Sequence, residues 1–150
     1  MDRLSELRCL AEKFRAALPL ATGRFPPYLR GRLQAFPRNC CDHASALLGR
    51  FLQENGFPDV EYVYNAYRGT RAETHAWLLV DREIVVDITA SQFPDQPEEI
   101  IVRRDSAWHA GFEHALSGPV EEQLRLNRML RSEYDRAYHE LRKVLYAPLL

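Results

Sequence analysis

ETHAWLLVDREIVVDIT, residues 73–89, reads as two short apolar strands separated by a charged turn. The segments HAWLLV and EIVVDIT are rich in aromatic and β-branched residues, and DRE lies at their junction. This pattern predicts an antiparallel hairpin with strands at 75–80 and 83–89. If its connection has three residues, or two with a bulge, His75 is expected to lie opposite Asp87 on the same face of the sheet.

Two further strands are expected beside this hairpin. VEYVYNAY (60–67) precedes it, and EEIIVRR (98–104) follows it. Both segments combine β-branched or aromatic residues with polar ones, which is typical of strands. We therefore predict a small, mostly antiparallel sheet.

Helical periodicity appears on both sides of the strands. Apolar spacing predicts a helix over 3–18 that ends before Pro19, followed by an irregular lead-in rich in proline and glycine. A buried helix then runs to a glycine stop at Gly56. From Pro119 a single long helix is expected to reach residue 146.

Together these elements predict an α+β fold in a single domain of 150 residues. Its core is expected over about 36–104, with flanking helices at 3–18 and 119–146. A chain of this length buries roughly two thirds of its unfolded surface, so one domain suffices.

Composition and charge argue against several kinds of partner and cellular location. The formal net charge of −1 gives no general attraction to nucleic acid or to an anionic membrane. Charges interrupt the first residues, which lack the apolar core of a secretion signal, and no stretch approaches the roughly 20 apolar residues of a membrane span. The three cysteines form no CxxC pair, and the spacing of His109 and His114 does not place them on one helix face. We expect a cytosolic protein with reduced thiols, no metal site and no membrane or nucleic-acid partner.

RNCCDHASALLGRFLQENG (38–56) places two adjacent cysteines at the start of the buried helix. The first turn of a helix offers unpaired N–H groups and partial positive charge, which lower a thiol pKa and can stabilise an oxyanion. Cys41 precedes Ala44 and Leu48 by three and seven residues, so it is expected on the face directed at the sheet. Cys40 shares a stripe with Ala44 and is the second candidate, while packing in the core is the alternative for either thiol.

His75 and Asp87 supply what a thiol nucleophile needs. A carboxylate beside an imidazole selects its tautomer and stabilises the imidazolium, which is the orienting role in a nucleophile, base and orienter triad. The sequence thus predicts Cys41 as nucleophile, His75 as base and Asp87 as orienter. The alternative is a strand histidine bonded to a neighbouring side chain, with Asp87 capping a strand end.

Three segments carry a resemblance to a known family. FPRNCCDHASALLGRFL (36–52), HAWLLVDREIVVDITASQF (75–93) and RRDSAWH (103–109) resemble the transglutaminase-like branch of the papain-like cysteine enzymes, in particular small bacterial proteins. Those folds carry a cysteine at a helix N-terminus, a histidine on one strand and an aspartate on the next, in that chain order. The resemblance implies a papain-like or transglutaminase-like fold in which Cys41 and two strand residues form the triad.

The sequence departs from the family pattern around the nucleophile. The family has a glycine before the cysteine and an aromatic residue after it, whereas Cys40 and Asp42 occupy these positions. An acidic neighbour opposes thiolate formation, although Asp42 can also interact favourably with the helix start. Papain-like enzymes carry an oxyanion glutamine several residues upstream; Gln34 is the candidate here, one residue further from Cys41 than the pattern.

Other polar residues near these motifs have two interpretations each. His43 is expected to be solvated in the first helical turn and is the alternative base. Gln92 follows Asp87 closely and is expected either near the site or bonded to backbone. Arg68 and Arg71 precede His75 in a loop that either touches an acidic substrate or is simply solvated.

These features predict a thiol-dependent hydrolase or acyltransferase that acts on a peptide or protein amide through a thioester, without a cofactor. Water as acceptor makes it a peptidase or deamidase, whereas an amine makes it a transglutaminase. A catalytically inactive binding module on the same fold is the alternative. The pattern is common to all of these and carries no information on oligomeric state.

Overall fold

The computed structural model describes residues 1–69, 73–126 and 128–148. Over these ranges the fold is α+β, as expected, with an antiparallel sheet of five strands. The strands are β1 (Val60–Arg68), β2 (Glu73–Val80), β3 (Ile84–Asp87), β4 (Ile101–Arg103) and β5 (Leu116–Pro119). They pair in the order β4-β3-β2-β1-β5.

Six α-helices accompany the sheet in the described parts of the chain. They are α1 (Arg3–Ala21), α2 (Pro27–Leu33), α3 (Cys41–Glu54), α4 (Ala107–Ala110), α5 (Val120–Gln123) and α6 (Arg128–Leu145). Two short 3-10 turns add to them, at Thr22–Arg24 and Ala90–Gln92. None of the described helices is long and apolar enough to cross a membrane.

The hairpin predicted from the sequence forms between β2 and β3. Leu78 pairs with Val86, and Val80 pairs with Ile84 across a three-residue connection. If this register continued, Trp77 and not His75 would lie directly opposite Asp87. The expected pairing of His75 directly opposite Asp87 is therefore wrong by two residues, although both side chains keep the same face because side chains alternate along a strand.

The two faces of the sheet pack different cores. Along β2, Ala76 and Leu78 belong to the larger core that contains α1, α3 and α6. Trp77 belongs with Val85 to a smaller core on the other face. By the same alternation, His75 emerges on the face of the smaller core.

The cysteine-bearing helix is α3, and its boundaries match the prediction. Leu48, Phe51 and Leu52 are each no more than 1% exposed, and burial of such a side chain is worth roughly 1.5–3 kcal/mol. The helix ends before Gly56, whose φ of +94° reverses the chain where a side chain would be strained. Cys41 is thereby held at the first residue of a well-anchored helix.

The first helix runs further than the sequence predicts. α1 continues through Pro19 to Ala21, so the expected end before Pro19 is wrong. Proline removes one backbone N–H, but the missing bond falls near the end of the helix. Burial of Leu18 and Ala21 on either side of Pro19 holds the last turn in place.

The proline-rich lead-in is also more regular than expected. α2 begins at Pro27, with Pro26 at its N-cap. Proline suits the first turn because its missing N–H would have had no partner within the helix. Leu29 and Leu33 anchor this short helix in the larger core.

The predicted long C-terminal helix is divided. Residues 116–119 form β5 along the edge of β1, and two helices, α5 and α6, follow; residue 127 between them lies outside the described residues. Val120 is fully buried and packs directly over Gly49 of α3. This contact joins segments that are far apart in the sequence and fixes the position of α5 on α3. The helical periodicity of the C-terminal segment gives no indication of it.

Candidate active site

A cavity of about 430 Å³ opens at the N-terminus of α3. Its walls include Cys41 and Asp42 of α3, and His75 from the start of β2. Most of the remaining lining is polar and uncharged: Asn39, Tyr62, Tyr64, Asn65, Thr74, Gln92 and Gln123. Two of the predicted triad residues, Cys41 and His75, thus face one cavity.

The two adjacent thiols occupy different environments. Cys41 is the first residue of α3 and is partly exposed in the cavity. Cys40, at the N-cap, is fully buried, and burial raises the pKa of its thiol to about 12. Only the thiolate is nucleophilic, so the geometry favours Cys41 and assigns Cys40 to packing.

His75 and Asp87 form a buried pair. Nε2 of His75 lies 2.6 Å from Oδ2 of Asp87, and both side chains are fully buried. The second oxygen, Oδ1, accepts the backbone N–H of Thr89 at 2.9 Å. Because an ionised carboxylate only accepts, Nε2 of His75 must carry the proton. The other ring nitrogen, Nδ1, is buried and has no hydrogen-bond partner among the described residues.

Electrostatics favour the charged form of this pair. Burial alone lowers the pKa of His75, but the charge and hydrogen bond of Asp87, together with the Cys41 thiol, raise that pKa to about 9. Sγ of Cys41 thus contributes to the raised pKa of His75, although the two residues are not joined by a hydrogen bond at Nδ1. For Asp87, burial opposes ionisation, but the charge of His75 and hydrogen bonds from His109 and His75 hold its pKa well below the usual range. An imidazolium beside a carboxylate therefore persists at neutral pH.

His75 reaches Asp87 diagonally. The β2–β3 register places His75 two residues beyond the position opposite Asp87. Diagonal neighbours on one face of an antiparallel pair lie within reach of long or aromatic side chains. The hydrogen bond therefore survives the shift in register.

A second imidazole, which the sequence reasoning missed, shares Asp87. Nε2 of His109 lies 2.7 Å from the same Oδ2. The Ser106 hydroxyl, at the N-cap of α4, is hydrogen-bonded to Nδ1 of His109. Both ring nitrogens of His109 thus have a hydrogen-bond partner: Ser106 at Nδ1 and Asp87 at Nε2. His109 falls within RRDSAWH, one of the segments that carry the family resemblance, but no local pattern connects it with Asp87.

The cluster of His75, Asp87 and His109 contains the donor types of many metal centres. Its spacing, however, is that of direct hydrogen bonds, at 2.6 and 2.7 Å to one carboxylate oxygen. Protons already satisfy Asp87 in this arrangement. The cluster is thus best described as a hydrogen-bonded unit that holds His75.

Aromatic rings surround His75: Trp77, Phe93, Trp108 and Phe112. The Arg68 guanidinium lies over three of these rings, 4.8–5.2 Å from their centroids. Arg68 also forms a two-point ion pair with Asp95, at 2.8 Å for one of the contacts. Arg68 therefore packs on the aromatic rings around His75 and does not line the cavity. Arg71, the second arginine considered from the sequence, lies outside the described residues.

The two residues that follow Cys41, Asp42 and His43, both have partners other than the thiol. Asp42 accepts the N–H of His43 at 2.9 Å and lies 3.8 Å from Arg32, which offsets its charge near the thiol. The expectation of a solvated His43 is wrong, because this side chain is buried. Its Nδ1 is 2.6 Å from the hydroxyl of Tyr134, and burial lowers its pKa. His43 is thus engaged away from the thiol.

The two glutamines considered near the site lie in different places. Gln34 is exposed at the C-cap of α2 and lines a separate cavity, apart from Cys41. The formation of α2, which the sequence did not predict, fixes it there. Gln92 lines the cavity of Cys41 and accepts the backbone N–H of Asn39 at 3.4 Å.

Comparison of the chain with protein-family models, curated proteins and solved structures finds no match. The interpretation of the site therefore rests on its own geometry.

Proposed function

We propose that this protein is a thiol-dependent hydrolase or acyltransferase of the transglutaminase-like type, acting on a peptide or protein amide through Cys41, His75 and Asp87. One observation carries the proposal: Asp87 holds the buried imidazole of His75 at Nε2, its Nδ1 has no partner among the described residues, and His75 lines the same cavity as Cys41. A buried, unsatisfied polar atom is destabilising, so its retention beside a partly exposed thiol favours a chemical role.

The chemistry follows from the positions of the protons. In the resting thiolate–imidazolium pair, Nδ1 of His75 holds the proton given up by the Cys41 thiol, and Sγ of Cys41 attacks the amide carbonyl carbon to form a tetrahedral oxyanion. The oxyanion collapses, the C–N bond breaks, and His75 returns its proton to the leaving amine. Asp87 keeps the imidazole oriented and stabilises its charge throughout. The acyl group remains on sulfur as a thioester.

The thioester is then transferred to a second nucleophile. Water or an amine attacks it, His75 takes the proton of that nucleophile, and Cys41 leaves as thiolate. Water yields a peptidase or deamidase, and an amine yields a transglutaminase. The cavity lining is mostly polar and uncharged, with one acidic and one basic residue, Asp42 and Arg32, and this lining suits an amide, which both donates and accepts hydrogen bonds.

Alkylation at controlled pH tests this proposal. We expect iodoacetamide to modify Cys41 at pH 6–7 at least about tenfold faster than the exposed Cys9, because the imidazolium of His75 favours the thiolate. Site-resolved mass spectrometry gives both rates in one sample, so Cys9 is an internal reference. His75→Gln should lower the Cys41 rate to that of Cys9, whereas Cys40→Ala should leave it unchanged.

The same experiment addresses the alternative function. Equal, ordinary reactivity of Cys41 and Cys9 in the folded wild-type protein would contradict the enzymatic proposal. That outcome would favour a catalytically inactive binding module, in which the cysteine pair serves packing.

A further inference from the structure

Gln92 lines the cavity, and a hydrogen bond fixes the orientation of its amide. It ends the 3-10 turn Ala90–Gln92 that follows β3, a few residues after Asp87. Its Oε1 accepts the backbone N–H of Asn39 at 3.4 Å. A backbone N–H can only donate, so the amide oxygen must face Asn39 and the NH₂ group must face the other way.

The NH₂ group of Gln92 lacks any partner among the described residues. Nε2 is buried, and it is one of two side-chain atoms there that are buried and unpaired. The other is Nδ1 of His75, a residue that lines the same cavity as Cys41. Leaving a buried donor unpaired is destabilising, and a ligand oxygen that accepts from it offsets this cost.

The turn before Cys41 fixes this amide relative to the thiol. Asn39 has a φ of +55° and lies two residues before Cys41. Arg32 donates two hydrogen bonds to the carbonyl of Asn39, at 2.7 and 3.2 Å, while Gln92 binds its N–H. The same short turn thus carries the nucleophile and positions the amide of Gln92.

We infer that Gln92 donates a hydrogen bond from Nε2 to the oxyanion formed when Cys41 attacks a carbonyl, together with the backbone N–H of Cys41 at the start of α3. This inference rests on the proposed function and names a further catalytic residue for it. As Sγ adds to the carbonyl carbon, the C=O π electrons move to oxygen, and Nε2–H stabilises that charge without changing its own protonation. A preorganised donor of this kind strengthens its interaction as charge develops.

Two reactions of the same thiol separate this role from thiol activation. Alkylation by iodoacetamide is a direct displacement without an oxyanion, whereas acylation by p-nitrophenyl acetate passes through one. Gln92→Met removes the donor, and Gln92→Glu removes it while keeping an oxygen for Asn39. We expect each variant to lower the single-turnover acylation rate by about 10²–10³-fold. Alkylation of Cys41 at pH 7 should stay within about threefold of wild type in Gln92→Met.

The second glutamine supplies a matched control. Gln34→Met removes an amide outside the cavity, so neither rate should change. Thermal melts of all variants establish that they are folded. If Gln92→Met does not fold, the ratio of the acylation rate to the alkylation rate in Gln92→Glu, compared with that of the wild type, gives the same test.

The outcomes are distinguishable. Wild-type acylation in a folded Gln92 variant would overturn the inference and leave the proposed function intact. An equal fall in both rates would also overturn it, because Gln92 would then act only by holding the Asn39 turn. A wild-type Cys41 that reacts no faster than Cys9 with either reagent would overturn the proposed function, and the oxyanion role with it.

Discussion

Asp87 is the residue on which the site converges. Its carboxylate accepts from His75 and His109 at one oxygen and from the backbone of Thr89 at the other. The three donors lie on different parts of the chain, so the carboxylate of Asp87 is held in one orientation. The residue therefore sets both the tautomer of His75 and the direction of its free nitrogen.

Asp87→Asn should separate orientation from nucleophilicity. Asparagine keeps the shape but presents an NH₂ group to imidazoles that need an acceptor, which favours the wrong tautomer of His75. We expect the acylation rate to fall by roughly 10–10³-fold, less than for a serine nucleophile because a thiol is intrinsically more acidic. His75→Ala should abolish acylation. Single-turnover acylation by p-nitrophenyl acetate measures both, with thermal melts as the control for folding.

The result that would count against the triad is specific. If a well-folded Asp87→Asn protein were acylated at the wild-type rate, Asp87 would serve only as a strand-end cap. The chemistry would then rest on Cys41 and His75 alone.

The packing of α3 determines where Cys41 lies. The helix is clamped between the sheet and the C-terminal segment, where Val120 sits over Gly49. A Cβ at position 49 would lie 2.6 Å from Cγ2 of Val120, closer than real contacts allow. The glycine thus permits a close approach that holds α5 beside the helix.

Gly49→Ala should therefore destabilise the protein despite the better helix propensity of alanine. The gain of about 1 kcal/mol from propensity is outweighed by overpacking that typically costs about 1–3 kcal/mol. We expect a net loss of up to about 2 kcal/mol in the free energy of unfolding, measured by urea denaturation.

A matched glycine tests the explanation. Gly31, in α2, has no atom within 4 Å of its ideal Cβ, so Gly31→Ala should be neutral or stabilising. Combining Gly49→Ala with Val120→Ala should relieve the clash, so the double variant should lose less than the sum of the single changes. Strict additivity would contradict the contact as the cause.

For the whole molecule, the buried ion pair couples stability to pH. The folded pKa of His75, about 9, lies above its ordinary value of 6.5. Its contribution is therefore fully present below pH 6.5 and is lost as pH rises through about 9. The pKa of Asp87 is lowered instead, so its contribution is present above its ordinary value of 3.8 and is lost as pH falls below it.

The unfolding free energy of the wild type should therefore fall between pH 6 and 10 relative to His75→Gln, by at most on the order of 3 kcal/mol. Urea denaturation of both proteins across this range measures the difference. The comparison cancels Cys40, whose raised thiol pKa also affects stability at high pH and is common to both proteins. Parallel pH profiles would contradict a protonated His75 in the folded state.

Local patterns in the sequence were sufficient for several features. The alternation of β2 and β3 predicted their hairpin and the shared face of His75 and Asp87, and apolar spacing predicted α3 with Cys41 at its start. These features depend on the two-residue period of a strand and the helical repeat, which are properties of the local chain. The α+β class followed from the same periods.

The other features of the site and fold depend on contacts between distant parts of the chain. His109 reaches Asp87 because α4 docks against the smaller core, and Gln92 rather than Gln34 enters the cavity because α2 carries Gln34 elsewhere. The continuation of α1 through a proline and the division of the C-terminal helix likewise follow from burial against distant segments. Such outcomes depend on contacts between residues far apart in the chain, whose energies exceed local propensity and leave no periodic trace in the sequence.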